Sequence, residues 1–211
     1  MGKVLYTIGH SNQSLDAFVA ALQAWGVTAV ADVRSFPYSR TNPQFDREAL
    51  RRGLKSSHIR YVFLGRELGA RTEDASCYTN GRVDYERLAG TKLFQQGLDR
   101  IQHGIENHQI AIMCSEKEPL ACHRTILIAR HLVQRDFSIK HILRDAEIEY
   151  HDATMGRLLR ILNLDTNVSD MFRSKPDLLE EAYRIQGRKI AYERAKTKPP
   201  IEKQTVIHVE R

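Results

Sequence analysis

The chain has no apolar run approaching the length of about 18 residues that a helix needs to cross a bilayer, so no membrane association is expected. Cysteine is scarce. Three in 211 residues is an odd, low number that argues against a disulfide framework and fits a reducing compartment, hence an expected cytoplasmic location. The opening residues, MGKVLYTIGH, lack the long apolar stretch of a secretory signal, so none is expected. Met1-Gly2 is no lipidation signal, because Tyr6 stands where serine or threonine is required. Internal repeats and low-complexity tracts are missing. Neither Gly-x-x-x-x-Gly-Lys nor Gly-x-Gly-x-x-Gly occurs, which removes the P-loop and dinucleotide fingerprints and leaves no cofactor assigned.

What is present is an ordinary globular balance, with 42% hydrophobic and 27% charged residues, which excludes disorder of the whole chain. The net charge of +6 favours anionic partners, either a phosphorylated small molecule or nucleic acid. The alternative is that a soluble protein carries this charge with no polyanion partner.

The pattern of elements predicts an α/β fold, with a mostly parallel central sheet of about five strands and helices on both faces. Apolar segments 4–8 (VLYTI), 27–33 (VTAVADV), 59–64 (IRYVFL), the run ending at Cys114, and 137–143 (FSIKHIL) supply the strands. Ser14 is placed to cap the first helix. Asp46 is placed to cap a second that runs to about Lys55, with Phe45 and Leu50 as a hydrophobic staple, and Thr91 a later one. Residues 65–81 are expected to be an irregular loop, functional or mobile. Residues 1–150 are expected to form the core and 151–211 a helical extension, suited to homo-oligomer formation. Its last helix begins at Ser174 with Asp177 as capping-box partner, carries Tyr192 on its apolar side, ends near 196–200, and is followed by a short tail.

The strands, if parallel, bring His10, Ser11, Asp32 and Arg34 to one rim, where α/β folds place their ligands. The same edge receives Cys114 and a helix start carrying Cys122, His123 and Arg124. A thiol at a helix N-terminus beside cationic side chains is activated, so Cys122 is the expected nucleophile, assisted by His123 or Glu116, with Cys114 in support. Arg34, Arg40 and Arg124 are the expected anion ligands, since guanidinium forks match phosphate oxygens. For each of these the alternative is a packed core thiol or an internal ion pair. The cysteine-phosphatase loop is excluded, because Leu120 stands where its arginine must be. Cys114, Cys122 and His123, with His10 joining, can supply metal ligands, but no paired Cys-x-x-Cys occurs and no metal is assigned.

Several short motifs together carry a resemblance. They are Thr7-Ile8-Gly9-His10, Asp32-Val33-Arg34, Ser39-Arg40 followed by Pro43 and Phe45, Glu67-Leu68-Gly69, and Cys114-x-Glu116 leading to Cys122-His123-Arg124. Across residues 4–143 the chain resembles the DUF488 family of bacterial and archaeal proteins, and Glu181, Tyr183, Arg184, Gly187 and Arg188 extend the likeness. Many members have tyrosine where this chain has His10. The resemblance implies a compact α/β fold with a site at the Cys-His-Arg motif, and it supplies no reaction. The expected function is an enzyme acting on a phosphate-bearing substrate, a nucleotide or nucleic acid. The alternatives are a non-catalytic nucleic-acid-binding module and a small-ligand sensor or structural protein.

Overall fold

Strand β1 (Lys3–Gly9) alternates its side chains between two cores, Leu5 entering one and Tyr6 and Ile8 the other. Helix α1 (Leu15–Ala24) starts at Ser14, whose side chain accepts the Ala17 N–H at 3.2 Å. Strand β2 (Ala29–Asp32) is buried throughout. Helix α2 (Arg47–Ser56) follows, with Phe45 and Leu50 both buried beside its start. Asp46 precedes it as expected but makes no cap with its side chain. Its Oδ1 accepts the Ser39 N–H at 2.7 Å and pins the preceding loop instead. The structure, a computed structural model, describes residues 3–164 and 174–194.

Strand β3 (Arg60–Phe63) leads into the short helix α3 (Gly65–Leu68). At the end of the segment expected to be irregular and just beyond it, β4 (Tyr78–Thr79) and β5 (Arg82–Val83) form a hairpin turned by Asn80 and Gly81, at φ 52° and 80°. An Asn-Gly pair suits such a turn, but two-residue strands are too short to show alternation in sequence. Helices α4 (Tyr85–Ala89) and α5 (Lys92–Gly104) come next, α5 capped by Thr91 as expected, with Phe94 N–H donating to its hydroxyl. Strand β6 (Ile110–Cys114) is buried at every position. The following helix opens as a π-helix over Arg124–Ala129 and continues as α6 (Arg130–Val133). Strands β7 (Phe137–Ile142) and β8 (Ile148–Tyr150) lead to α7 (His151–Ile161) and α8 (Lys175–Ile190). The capping box of Ser174 and Asp177 opens α8 as expected. The helix stops at Ile190, so Tyr192 lies beyond it; residues 165–173 and 195–211, with the expected tail, lie outside the described residues. Among the described residues no helix is long and apolar enough to cross a membrane.

The main sheet runs β3-β2-β6-β1-β7-β8, six strands where about five are expected. The first five are parallel, and the extra strand is β8, antiparallel on the edge. Helices α1 and α2 cover one face, and α3 to α8 contribute to the core on the other. Strands β1 and β2 therefore hand the chain to one face, while β6, wedged between them, hands it to the opposite one. Connections that diverge in this way open a crevice at the carboxyl ends of the strands.

On the face covered by α7 and α8, a buried chain of polar groups ties the sheet to both helices. Thr7 Oγ1 lies 2.7 Å from His141 Nδ1, His141 Nε2 lies 3.0 Å from His151 Nδ1, and His151 Nε2 lies 2.8 Å from the Tyr183 hydroxyl. Each ring gives one proton and takes one, which fits neutral imidazoles. Burial lowers His151 from 6.5 to about 4, against the pull of Asp152 and Glu149, and burial together with the neighbouring His151 holds His141 well below its usual range. The unfolded chain takes up these protons first as the pH falls. Stability is then complete above about pH 6.5 and declines toward pH 4, His151 alone contributing about 3 kcal/mol to the loss. Urea midpoints between pH 7.5 and pH 4.5 are expected to fall in the wild type and to fall less steeply in His151→Gln. An identical slope in the two proteins contradicts this assignment.

Candidate thiol-imidazole site

Parallel pairing sets the positions of the site residues. Gly9 stands opposite Cys114 and Asp32 opposite Met113, and the pairing continues past the strand ends, with His10 N–H donating to Cys114 O and Ser11 N–H to Ser115 O, each at 2.9 Å. The loop after β6 comes so near β1 that a Cβ on Gly9 would lie 1.8 Å from the Glu116 carbonyl oxygen, so only glycine fits there.

Cys122 is extended (φ −132°, ψ 138°), between a 3₁₀ turn at Pro119–Ala121 and the π-helix, and His123 follows in the helical region. Their side chains converge on Cys114, with one donor atom from each residue lying within 4.8 Å of the others. His123 Nε2 is 3.2 Å from the Val33 carbonyl, which only accepts, so that nitrogen carries a proton. Nδ1 then faces the sulfurs, 3.7 Å from Cys114 Sγ and 3.9 Å from Cys122 Sγ. The hydrogen bond to Cys122, and then burial, push the Cys114 thiol well above its usual range. Burial opposes ionisation of Cys122, but the Cys114 bond, the Arg124 charge and His123 outweigh it and hold that thiol well below its usual range. A proton shared between the sulfurs therefore stays on Cys114.

The rim residues form a second network. Arg34 Nε and Nη2 fork onto Asp32 at 2.9 and 2.7 Å, and Nη1 donates to His10 Nε2 at 3.2 Å. Tyr61 donates to the same Asp32 at 2.8 Å. His10 Nδ1 bonds the Ser11 carbonyl, and its ring stacks on Phe45 at 4.2 Å. Burial, reinforced by the Arg34 charge and only partly offset by the Ser11 carbonyl, lowers His10 to about 4, so it is neutral and accepts from arginine. His10 thus positions Arg34, and it is not among the grouped donor atoms of Cys114, Cys122 and His123 that it could have joined.

A cavity of about 340 Å³ lies over the cluster, and Cys114, Cys122, His123, Arg34 and Glu116 all line it. That volume is at the small end of ligand sites, which run from about 300 to 1,000 Å³. The other expected anion ligands are elsewhere. Arg40 is exposed and does not line the cavity. Arg124 is completely buried and donates from Nη1 to the Glu116 carbonyl at 2.5 Å and from Nη2 to the Lys117 carbonyl at 3.1 Å. It fastens the loop that carries the site and offers nothing to the cavity. Among its other lining residues are four that spacing did not single out for the site: Arg71, Phe36, Tyr38 and Tyr192. The Arg71 guanidinium lies over the Tyr192 ring at 4.7 Å and the Phe36 ring at 5.9 Å. They come from three separate loops, so no local pattern announces them. The signals available are the clustering of Phe36 and Tyr38 in an otherwise polar loop and the place of Arg71 in the long 65–81 segment.

Arg124→Met removes both loop anchors and leaves two carbonyls unpaired. It is expected to lower the unfolding free energy by about 3 kcal/mol in a denaturant titration. A change under about 0.5 kcal/mol, typical of an exposed site, contradicts the anchoring role.

No curated protein matches this chain. The matching family description, domain of unknown function DUF488, spans residues 14–131, more than half the chain and inclusive of Cys114, Cys122 and His123, and the chain belongs to that family.

Proposed function

We propose that the protein is an enzyme whose cavity takes a small, planar anion of the nucleotide class and whose Cys114/Cys122/His123 cluster is the reaction centre. One observation carries this reading: the cluster shares its cavity with two arginines and several aromatic rings. Arg34 is held by Asp32 and His10 in a fixed orientation, with an N–H left on each terminal nitrogen for an anion. Arg71 adds a second guanidinium, and Phe36, Tyr38 and Tyr192 offer faces on which a base can stack. The net charge of +6 favours the approach of such an anion. Glu116 is the carboxylate among the lining residues and is the group assigned to take or return a proton in this reading.

A second reading has its own support. Phe36 and Tyr38 are 64% and 72% exposed, and rings so placed suit a single strand longer than one nucleotide, held without turnover.

The test is calorimetric titration with nucleoside monophosphates, inorganic phosphate and short single-stranded oligonucleotides, with mass-spectrometric product analysis. A monophosphate is expected to bind and be converted, and Arg71→Ala to weaken its binding about tenfold, the loss of one stacked, charge-assisted contact. Cys122→Ser is expected to keep binding while turnover falls to background. Oligonucleotide binding that weakens steeply with salt, with no product formed, supports the binding-module reading instead. Unchanged turnover in Cys122→Ser, or no binding by any of these ligands, overturns the proposal.

A further inference from the structure

We infer that Cys114, Cys122 and His123 form a three-ligand site for a thiophilic divalent cation, zinc, with its open coordination position facing the cavity. The inference deepens the proposed function and rests on it only for what enters the cavity.

Geometry carries it first. A tetrahedral zinc ion with Zn–S of about 2.3 Å and Zn–N of about 2.0 Å sets its sulfur and nitrogen ligands about 3.5 Å apart. The sulfur-to-nitrogen distances here are 3.7 and 3.9 Å, and all three donor atoms lie within 4.8 Å of one another. A contraction of a few tenths of an ångström in the sulfur-to-nitrogen distances, with the two sulfurs drawn to about 3.8 Å of each other, closes the set around an ion.

The imidazole is also prepared for this role. Its Nε2 proton is engaged by the Val33 carbonyl, which leaves Nδ1 as the nitrogen aimed at the sulfurs. Metal-bound histidines characteristically have their second nitrogen tied to a backbone carbonyl or carboxylate in this way, which fixes both tautomer and ring orientation. Neighbouring backbone bonds hold the frame. Cys114 ends a buried strand paired on both sides, and the Val33 N–H donates to the Met113 carbonyl at 3.1 Å. The alternative use of two neighbouring thiols, a disulfide, is not formed, and both cysteines are free.

Charge and donor type name the ion. Two thiolates and a neutral imidazole carry a charge that a divalent cation cancels, and such soft donors select zinc over magnesium or calcium. All three ligand residues line the cavity, so the position they leave unfilled opens onto it. Three protein ligands with an open place is the arrangement of catalytic rather than structural zinc. With the ion bound, both sulfurs are ligands, and the reacting group is what the ion holds on its cavity side. His10 takes no part, since its two nitrogens are occupied by Ser11 and Arg34.

The test is metal content and spectroscopy on the full chain. Protein produced with zinc supplementation and desalted is expected to hold about one equivalent by elemental analysis, one per three-ligand site. Cys114→Ala, Cys122→Ala and His123→Ala are each expected to retain less than about a tenth of that, the scale on which lost ligation acts. Cys77→Ala, which removes the remaining thiol, is expected to keep it all. Because a cluster variant can fail to fold, wild-type protein stripped by a chelator and reloaded with cobalt(II) gives an independent readout. Thiolate-to-cobalt charge-transfer bands and intense tetrahedral d–d bands are expected, and iodoacetamide is expected to modify Cys114 and Cys122 only after stripping. Wild-type protein that retains no metal, or cobalt spectra without thiolate bands, overturns the inference. Nucleotide titration of the same preparations separates the two claims. Metal without nucleotide binding leaves this site standing and removes the proposed function, and nucleotide binding without metal does the reverse.

Discussion

The parallel pairing of β6 between β1 and β2 is the constraint on which the site depends. It sets Cys114 beside the ends of two strands whose connections leave for the opposite face of the sheet. The crevice formed there is too narrow for a side chain at Gly9, because the loop after β6 passes directly over it. Arg124 fastens that loop from below through two backbone carbonyls. Sheet register and a buried guanidinium together give the Cys114-to-His123 segment one geometry. A set of donor atoms requires this, since a misplacement of about 1 Å is enough to spoil a functional constellation.

Electrostatics divide the labour among the arginines. Arg124 is enclosed and bonds only backbone oxygens, so its charge acts on the cluster through space, where it helps lower Cys122. Arg34 is locked by Asp32 and His10, and burial of that set is tolerated because every member is paired. Arg71 is the outer cation, held over Tyr192 and Phe36. One arginine shapes the loop, one is oriented for a ligand, and one stands at the mouth. Residue type alone does not distinguish these duties.

Much of the frame was legible in the sequence. Apolar runs marked the five parallel strands, and Ser14, Thr91 and the Ser174–Asp177 pair marked three helix starts, because capping is local chemistry with a fixed spacing. The rim of His10, Ser11, Asp32 and Arg34 followed from parallel topology. Short elements escaped: β8 has three residues, and β4 and β5 have two each, fewer than a periodicity needs. Arg124 was singled out as an anion ligand, but its role as a buried anchor escaped, because its partners are backbone carbonyls of the loop folded over it. The walls of the cavity escaped because Phe36, Arg71 and Tyr192 are far apart in the chain. Tyr192 was placed on a helix that stops at Ile190, so its contact with Arg71 had no antecedent in the pattern. The facing nitrogen of His123 depends on the Val33 carbonyl, a contact between residues ninety apart in sequence.

X-ray absorption at the metal edge of the intact protein, with and without a saturating nucleoside monophosphate, tests the account most directly. It predicts two sulfur scatterers near about 2.3 Å and one imidazole nitrogen near about 2.0 Å. The light-atom ligand on the cavity side alone should change when the nucleotide enters. A first shell without sulfur, or a spectrum indifferent to a nucleotide shown to be bound, contradicts it.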